Sequence, residues 1–238
     1  MEVIKISNIN KRYGKSIVLN NISLNIENEE IVGLIGPSGA GKSTLVKAIM
    51  GMEKIDSGEI RLLNVKIPNL KILNKIGYMS QSDALYEDLS GRENLQFFAK
   101  LYKMSKEHIE ERIEYLSKLV NLEKDLNKKV SKYSGGMKRR LSLAMALIQD
   151  PEVFILDEPT VGIDPTLRAS IWKEINNLKS KGKSIVITTH VMDEAIKCDK
   201  LALINEGKII AYGRPDELIE KYEVISIEEI FIKMGGED

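Results

Sequence analysis

The 238-residue chain is poor in cysteine: Cys198 is the single thiol. One cysteine excludes an internal disulfide framework and a cysteine-based zinc cluster, so stability has to come from packing. Histidine is almost as scarce. His108 and His190 are the two present, and neither has another His or Cys at ligand spacing, which argues against zinc. An excess of either charge is also missing, since 35 Lys+Arg stand against 35 Asp+Glu, and no nucleic-acid partner is expected. No run reaches the roughly 18 uncharged apolar residues of a membrane helix. The nearest, Leu141 to Leu156, is interrupted by Asp150, Pro151 and Glu152. The N-terminus alternates apolar and charged residues and lacks the basic-then-apolar order of a secretory signal. The reading is a cytosolic or cytosol-facing chain that does not itself span a bilayer. Internal repeats and low-complexity segments are absent.

What is present is the mix of a soluble globular protein, 43% hydrophobic and 29% charged, long enough for one domain with a subdomain. Val3 to Ile6 and Ile17 to Ile26 read as extended segments, and Ile31 to Ile35 reads as a buried strand ended by Gly36. Lys42 to Met50 has helical composition, and Ile60 to Leu63 and Ile76 to Met79 are further short strands. A helical region follows from about Ser90 to Val120. Ser90 with Glu93 forms a capping box, and Ser105 caps a second helix with Ile109, Ile113, Leu116 and Val120 on one face. Gly135 and Gly136 precede a helix to about Ile148, Val153 to Leu156 is a strand, and Asp164-Pro165 starts a helix through Leu178. Ile185 to Thr189 is a strand, and Leu201 to Ile204 with Lys208 to Tyr212 form a hairpin before a helix entered at Pro215. The alternation predicts a three-layer α/β fold with a largely parallel central sheet.

Between the third strand and the first helix stand Gly36, Pro37, Ser38, Gly39, Ala40, Gly41, Lys42, Ser43 and Thr44, matching G-x-x-x-x-G-K-[ST] in the strand–turn–helix context it requires. The glycines let backbone N–H groups face phosphate oxygens, and the helix N-terminus adds partial positive charge. Lys42 is expected to reach the β- and γ-phosphates, Ser43 to offer a hydroxyl to Mg2+, and Thr44 a second hydroxyl near the α-phosphate. The run Val153 to Leu156 delivers Asp157 and Glu158 to a strand end, where ligands sit in doubly wound sheets. Asp157 is the candidate Mg2+ group, and Glu158 the candidate for orienting or deprotonating the attacking water. The run Lys138-Arg139-Arg140 is read as a solvated helix face and is given no role.

With Tyr133-Ser134-Gly135-Gly136-Met137 lying between the phosphate loop and the acidic strand, the chain resembles the ATP-binding cassette (ABC) ATPases. Ser134 lies 92 residues after Lys42 and 23 before Asp157, leaving room for an inserted helical subdomain. The resemblance implies a P-loop NTPase core with an antiparallel β subdomain and an inserted α-helical subdomain. It implies that Ser134, Gly135 and Gly136 face the ATP held by a second, head-to-tail subunit. It also implies that Tyr13 stacks on adenine, that Gln81 touches Mg2+ and the attacking water, and that His190 contacts the γ-phosphate. Asp164 resembles the aspartate that crosses the dimer interface, and equally reads as a helix cap. Tyr133 and Met137 stand where Leu and Gln are usual. That variant, the segment Leu85 to Leu95 and the ending Ser226 to Phe231 resemble the branch that serves separate permeases in antibiotic, drug and lipid export.

The expectation is therefore an ATP-binding and ATP-hydrolysing subunit of a transporter, an exporter by its branch. Its cofactors are ATP and Mg2+, and its partners are a transmembrane permease and a second ATP-binding subunit, either a copy or a paralogue. It would lie on the cytoplasmic face of the membrane through the permease. Import remains an alternative, as does a soluble ABC ATPase without a transport role. Against the latter, no long coiled-coil insertion separates phosphate loop and Ser-Gly-Gly, and only one cassette is present. No Asn-Lys-x-Asp guanine motif supports a GTPase. In this reading residues 1–82 and 153–213 form the nucleotide-binding core with its β subdomain. Residues 83–152 form the helical subdomain, and 214–238 a helical extension of the single ABC domain.

Overall fold

A computed structural model describes residues 2–82 and 84–235. Ten strands and eight α-helices occur among them in this order: β1 (Glu2–Tyr13), β2 (Ser16–Glu27), β3 (Ile31–Ile35), α1 (Lys42–Ile49), β4 (Ser57–Leu62), β5 (Val65–Lys66), β6 (Ile76–Met79), α2 (Gly91–Leu101), α3 (Lys106–Leu119), α4 (Gly135–Leu147), β7 (Val153–Asp157), α5 (Pro165–Ser180), β8 (Ser184–Thr189), α6 (Met192–Ala195), β9 (Lys200–Asn205), β10 (Lys208–Gly213), α7 (Pro215–Lys221) and α8 (Ile227–Gly235). Two compact units emerge, residues 1–73 with 184–238, and residues 74–183. Asp83, and residues 236–238 at the end of the expected extension, lie outside the described residues. Among the described residues no helix is long and apolar enough to cross a membrane.

The first unit contains an antiparallel sheet in the order β2-β1-β4-β5. Alternation sets its faces: Ile4 pairs with Ile26 and Ile6 with Leu24, all buried, while the intervening Lys5 is exposed. The same unit holds the strand series β10-β9-β3-β8, with β3 parallel to both β8 and β9. Every residue of β3 and β8 is buried, the pattern of strands covered on both faces. The parallel pairing and the antiparallel sheet are those expected from the sequence.

The second unit pairs β6 with β7 in parallel, Ile76 opposite Val153, and packs α4 against both. Ser90 accepts a hydrogen bond from the Glu93 N–H at 3.2 Å, and Glu93 accepts one from the Ser90 N–H at 2.7 Å, completing the capping box of α2. Ser105 caps α3, whose Ile109, Ile113 and Leu116 are buried together with Val120. A close approach fixes the start of α2. A Cβ placed on Gly91 would lie 2.4 Å from the Tyr133 hydroxyl, which donates to the Asp125 carbonyl at 2.8 Å. Burial, and secondarily the Asp125 carboxylate, push the Tyr133 phenol up to about 12, so it remains a donor at neutral pH.

Candidate functional site

In the first unit the apolar strand β3 ends at Ile35 and the chain turns through Gly36 to Gly41 into α1. Gly41 caps the helix in the left-handed region, φ 102°, with the Val18 carbonyl 2.6 Å from where a Cβ would stand. The β9–β10 turn braces the loop, since the Gly207 N–H donates to the Ala40 carbonyl at 3.1 Å. The Lys42 ammonium is buried and donates to the carbonyls of Gly36 at 2.7 Å and Pro37 at 2.9 Å, which orient it within the arc of the loop. The Ser43 and Thr44 side chains follow on the half-buried side of α1.

Tyr13 closes β1 and is 49% exposed. Its hydroxyl donates to Glu53 at 2.7 Å and also meets the Thr44 hydroxyl, while the Lys11 ammonium stands 4.8 Å over the ring. Lys11 pairs with Glu53 at 2.5 Å. The hydrogen bonds from Lys11 and then Tyr13 hold the Glu53 carboxyl below its ordinary value. An aromatic ring is thus held in place, half exposed, beside the helix that starts at the phosphate loop. His190 follows β8 and is exposed. Its neighbour Thr189 donates to the buried Glu194 at 2.9 Å and accepts from the Val191 N–H at 3.0 Å, which pins the turn carrying the imidazole. Gly36, Pro37 and His190 line one cavity of about 590 Å³ together with Glu206 and Phe231.

In the second unit Asp157 is the last residue of β7 and is 3% exposed, and Glu158 follows with φ 53°, half-buried. Gln81 lies just after β6 and is exposed. One side chain links these places. Arg139, 8% exposed, donates through Nη1 to the carbonyls of Ser80 at 2.7 Å and Gln81 at 3.0 Å, and through Nη2 to those of Asp157 and, at 2.7 Å, Glu158. Reading Lys138-Arg139-Arg140 as a solvated face is therefore corrected. Arg139 is buried, Arg140 donates to the carbonyls of Gly136, Val120 and Asn121, and Lys138 pairs with Glu87. The available signal was periodicity: Arg139 stands three and four residues before the buried Ser142 and Leu143 on α4. Glu53 was missed too, and nothing in its local sequence marks it.

Ser134 caps α4 by accepting from the Met137 N–H at 3.3 Å, and a Cβ on Gly135 would meet nothing within 4 Å. The helix start is thus open, with the orphan N–H groups of a first turn and the positive end of a 13-residue helix. A Cβ on Gly136 would stand 3.4 Å from the Gly162 carbonyl, which places the loop carrying Asp164 beside it. Asp164 caps α5, accepting from the Leu167 N–H at 3.0 Å. Among the described residues no group of three or more His, Cys, Asp or Glu is arranged to hold a metal ion. A hydroxyl, an amide oxygen and one buried carboxylate are hard donors suited to Mg2+, which commonly takes few protein ligands and completes its shell with phosphate oxygens and water.

A family model described as "ABC transporter" matches residues 19–161. Curated relatives named "Nod factor export ATP-binding protein I" include one from Rhizobium johnstonii, 43% identical over 98% of this chain and 75% of its own length, and one from Rhizobium meliloti, 42% identical over 98% of this chain and 70% of its own. Among solved structures, an ATP-binding subunit of an ABC transporter superposes with a TM-score of 0.91 at 27% identity, covering 98% of this chain and 99% of that one. A dimeric ATP-binding cassette in a post-hydrolysis state with ADP and Pi gives 0.82 at 29% identity, covering 89% of this chain and 98% of that one.

Proposed function

The chain belongs to the ABC transporter family as an ATP-binding and ATP-hydrolysing subunit, and from that premise we propose that it drives an exporter whose membrane-spanning part is a separate permease. Support for export and for a separate permease comes from the relatives' names as export ATP-binding proteins and from the Tyr-Ser-Gly-Gly-Met variant; among the described residues no helix is long and apolar enough to cross a membrane. The chain then sits on the cytoplasmic face of the membrane through that partner. The domain division proposed is the one expected from the sequence, with 1–82 and 153–213 handling nucleotide and 83–152 presenting the Ser-Gly-Gly helix.

The observation that carries the mechanism is the open start of α4, a second phosphate-binding surface in a chain that already has a phosphate loop. One γ-phosphate needs only one such surface from each side. Two ATP molecules therefore join two subunits, either copies or paralogues, each ATP held by one phosphate loop and by the partner's Ser-Gly-Gly. Tyr13 stacks on the base and the backbone of residues 36–44 cradles the phosphates. Lys42 and the helix N-termini stabilise charge developing on the γ-phosphoryl group. Ser43, Gln81 and Asp157 are the residues proposed to hold Mg2+, which when bound neutralises charge on the β- and γ-phosphate oxygens. Glu158 accepts the proton of the attacking water, Gln81 orients that water, and His190 donates to the γ-phosphate. Asp164 crosses the interface. Closure on ATP and opening after hydrolysis drive the permease, which docks on the surface from Gln81 to Arg92 around Glu87 and Asp88.

Glu158→Gln should retain ATP binding, abolish turnover and accumulate an ATP-dependent dimer on size exclusion. A variant hydrolysing ATP at the wild-type rate would remove Glu158 from that role.

A further inference from the structure

We propose that Arg139 is a positioning residue for hydrolysis: its buried guanidinium, by binding the carbonyls of Ser80, Gln81, Asp157 and Glu158, sets where the Gln81 and Glu158 side chains can act. The inference rests on the roles given above to Gln81 and Glu158. Arginine presents five N–H donors in a planar fork, and here its two terminal nitrogens each span a pair of adjacent carbonyls. Burying a guanidinium is costly unless its donors are satisfied, so a cation placed here earns its position by what it holds rather than by filling space.

The backbone at stake lies at a strand end. Glu158 has φ 53°, a left-handed conformation that is strained for a non-glycine residue and persists only where the surroundings over-determine it. Arg139 supplies such a restraint on the Glu158 carbonyl and extends it to the segment after β6. The guanidinium hangs from α4, the helix that presents Ser134 to Gly136 at its start. Lysine, a compact ammonium with three donors, cannot span two carbonyl pairs in this way.

The test is steady-state ATP hydrolysis by the full chain, with nucleotide binding and thermal unfolding measured in parallel. Arg139→Ala is expected to lower kcat by roughly a hundredfold, the scale of an ångström misplacement of a catalytic group. KM for ATP should stay within about twofold, because Tyr13 and the phosphate loop belong to the other compact unit and Arg139 is bonded to none of Ser134, Gly135 and Gly136 in the contacts that define its role. Guanidinium ion at sub-denaturing concentration should restore part of kcat without raising the unfolding midpoint, an effect that a purely structural role would not produce. Arg139→Lys should fall between wild type and Arg139→Ala. If Arg139→Ala does not fold, Arg139→Met, which keeps the apolar stem, carries the same expectation. A folded Arg139→Ala or Arg139→Met with wild-type kcat overturns the inference and leaves the proposed function standing. Wild-type protein that binds but never hydrolyses ATP overturns both.

Discussion

Replacing Gly91 with alanine should destabilise the second unit through one contact, and a change at Tyr133 should relieve it. The new methyl carbon would stand 2.4 Å from the Tyr133 hydroxyl and 3.3 Å from the Leu126 carbonyl. Ordinary contact begins at 3.4 Å, so the hydroxyl must retreat by about 1 Å, and Tyr133, 6% exposed, has no open side to move into. That retreat stretches the 2.8 Å bond to the Asp125 carbonyl beyond hydrogen-bonding range, a loss of about 1 kcal/mol. Overpacking adds about 1–3 kcal/mol. Removing glycine's freedom in the unfolded chain returns about 0.4–1 kcal/mol. The net expectation is a destabilisation of roughly 1–3 kcal/mol, read from urea midpoints at constant slope. Tyr133→Phe deletes the colliding oxygen, so the double variant should be more stable than the sum of the two single effects by about 1–3 kcal/mol. Additivity within about 0.5 kcal/mol would refute the contact. The cycle also bears on the Tyr-for-Leu departure before Ser134, because the tyrosine hydroxyl is what requires glycine at position 91.

Three further outcomes are expected. Cys198 is 5% exposed, and burial, aided by Asp199 and Glu194, pushes its thiol up to about 12, so the native protein should resist thiol reagents that label the denatured chain fully; rapid native labelling would contradict this. Glu53 is held below its ordinary value of 4.5, so its contribution to stability is complete above that pH and is lost as pH falls through the lower folded-state value. Wild type and Glu53→Gln should therefore differ in unfolding midpoint at pH 7 and converge in acid, with weaker ATP affinity in the variant because the Tyr13 hydroxyl then meets a neutral amide oxygen in place of a carboxylate and Lys11 loses its ion pair. Asp164→Asn retains an N-cap and should keep wild-type stability, whereas Asp164→Ala should lose about 1 kcal/mol. Loss of ATP-dependent dimerisation in the stable Asn variant would separate the interface role from the cap.

The sequence was most legible where the cause is local. The apolar run into Gly36 and the helical stretch from Lys42 need only neighbours in the chain, and the Ser90–Glu93 box closes over three residues. The buried stripe of α3 follows from helical spacing, β3 declares itself as an unbroken apolar run, and β8 is marked by its β-branched stretch Ile185 to Thr189. The parts that stayed hidden depend on distant partners. Arg139 reaches carbonyls as far away in sequence as Ser80, Glu53 holds a tyrosine that closes β1, and Tyr133 constrains a glycine at the start of α2. A run of three basic residues does not by itself show that the middle one turns inward; only its helical spacing to Ser142 and Leu143 points that way, and the contacts it makes depend on how α4 packs on β6 and β7.

The central claim, an ATPase that drives a separate permease, is tested most directly by purifying the tagged protein from detergent-solubilised membranes of its source cell and identifying the copurifying chains by mass spectrometry. The account predicts a polytopic membrane protein in stoichiometric amount. Recovery of soluble partners alone, whether ribosomes, DNA complexes or other assemblies, would contradict the transport role while leaving the nucleotide chemistry intact.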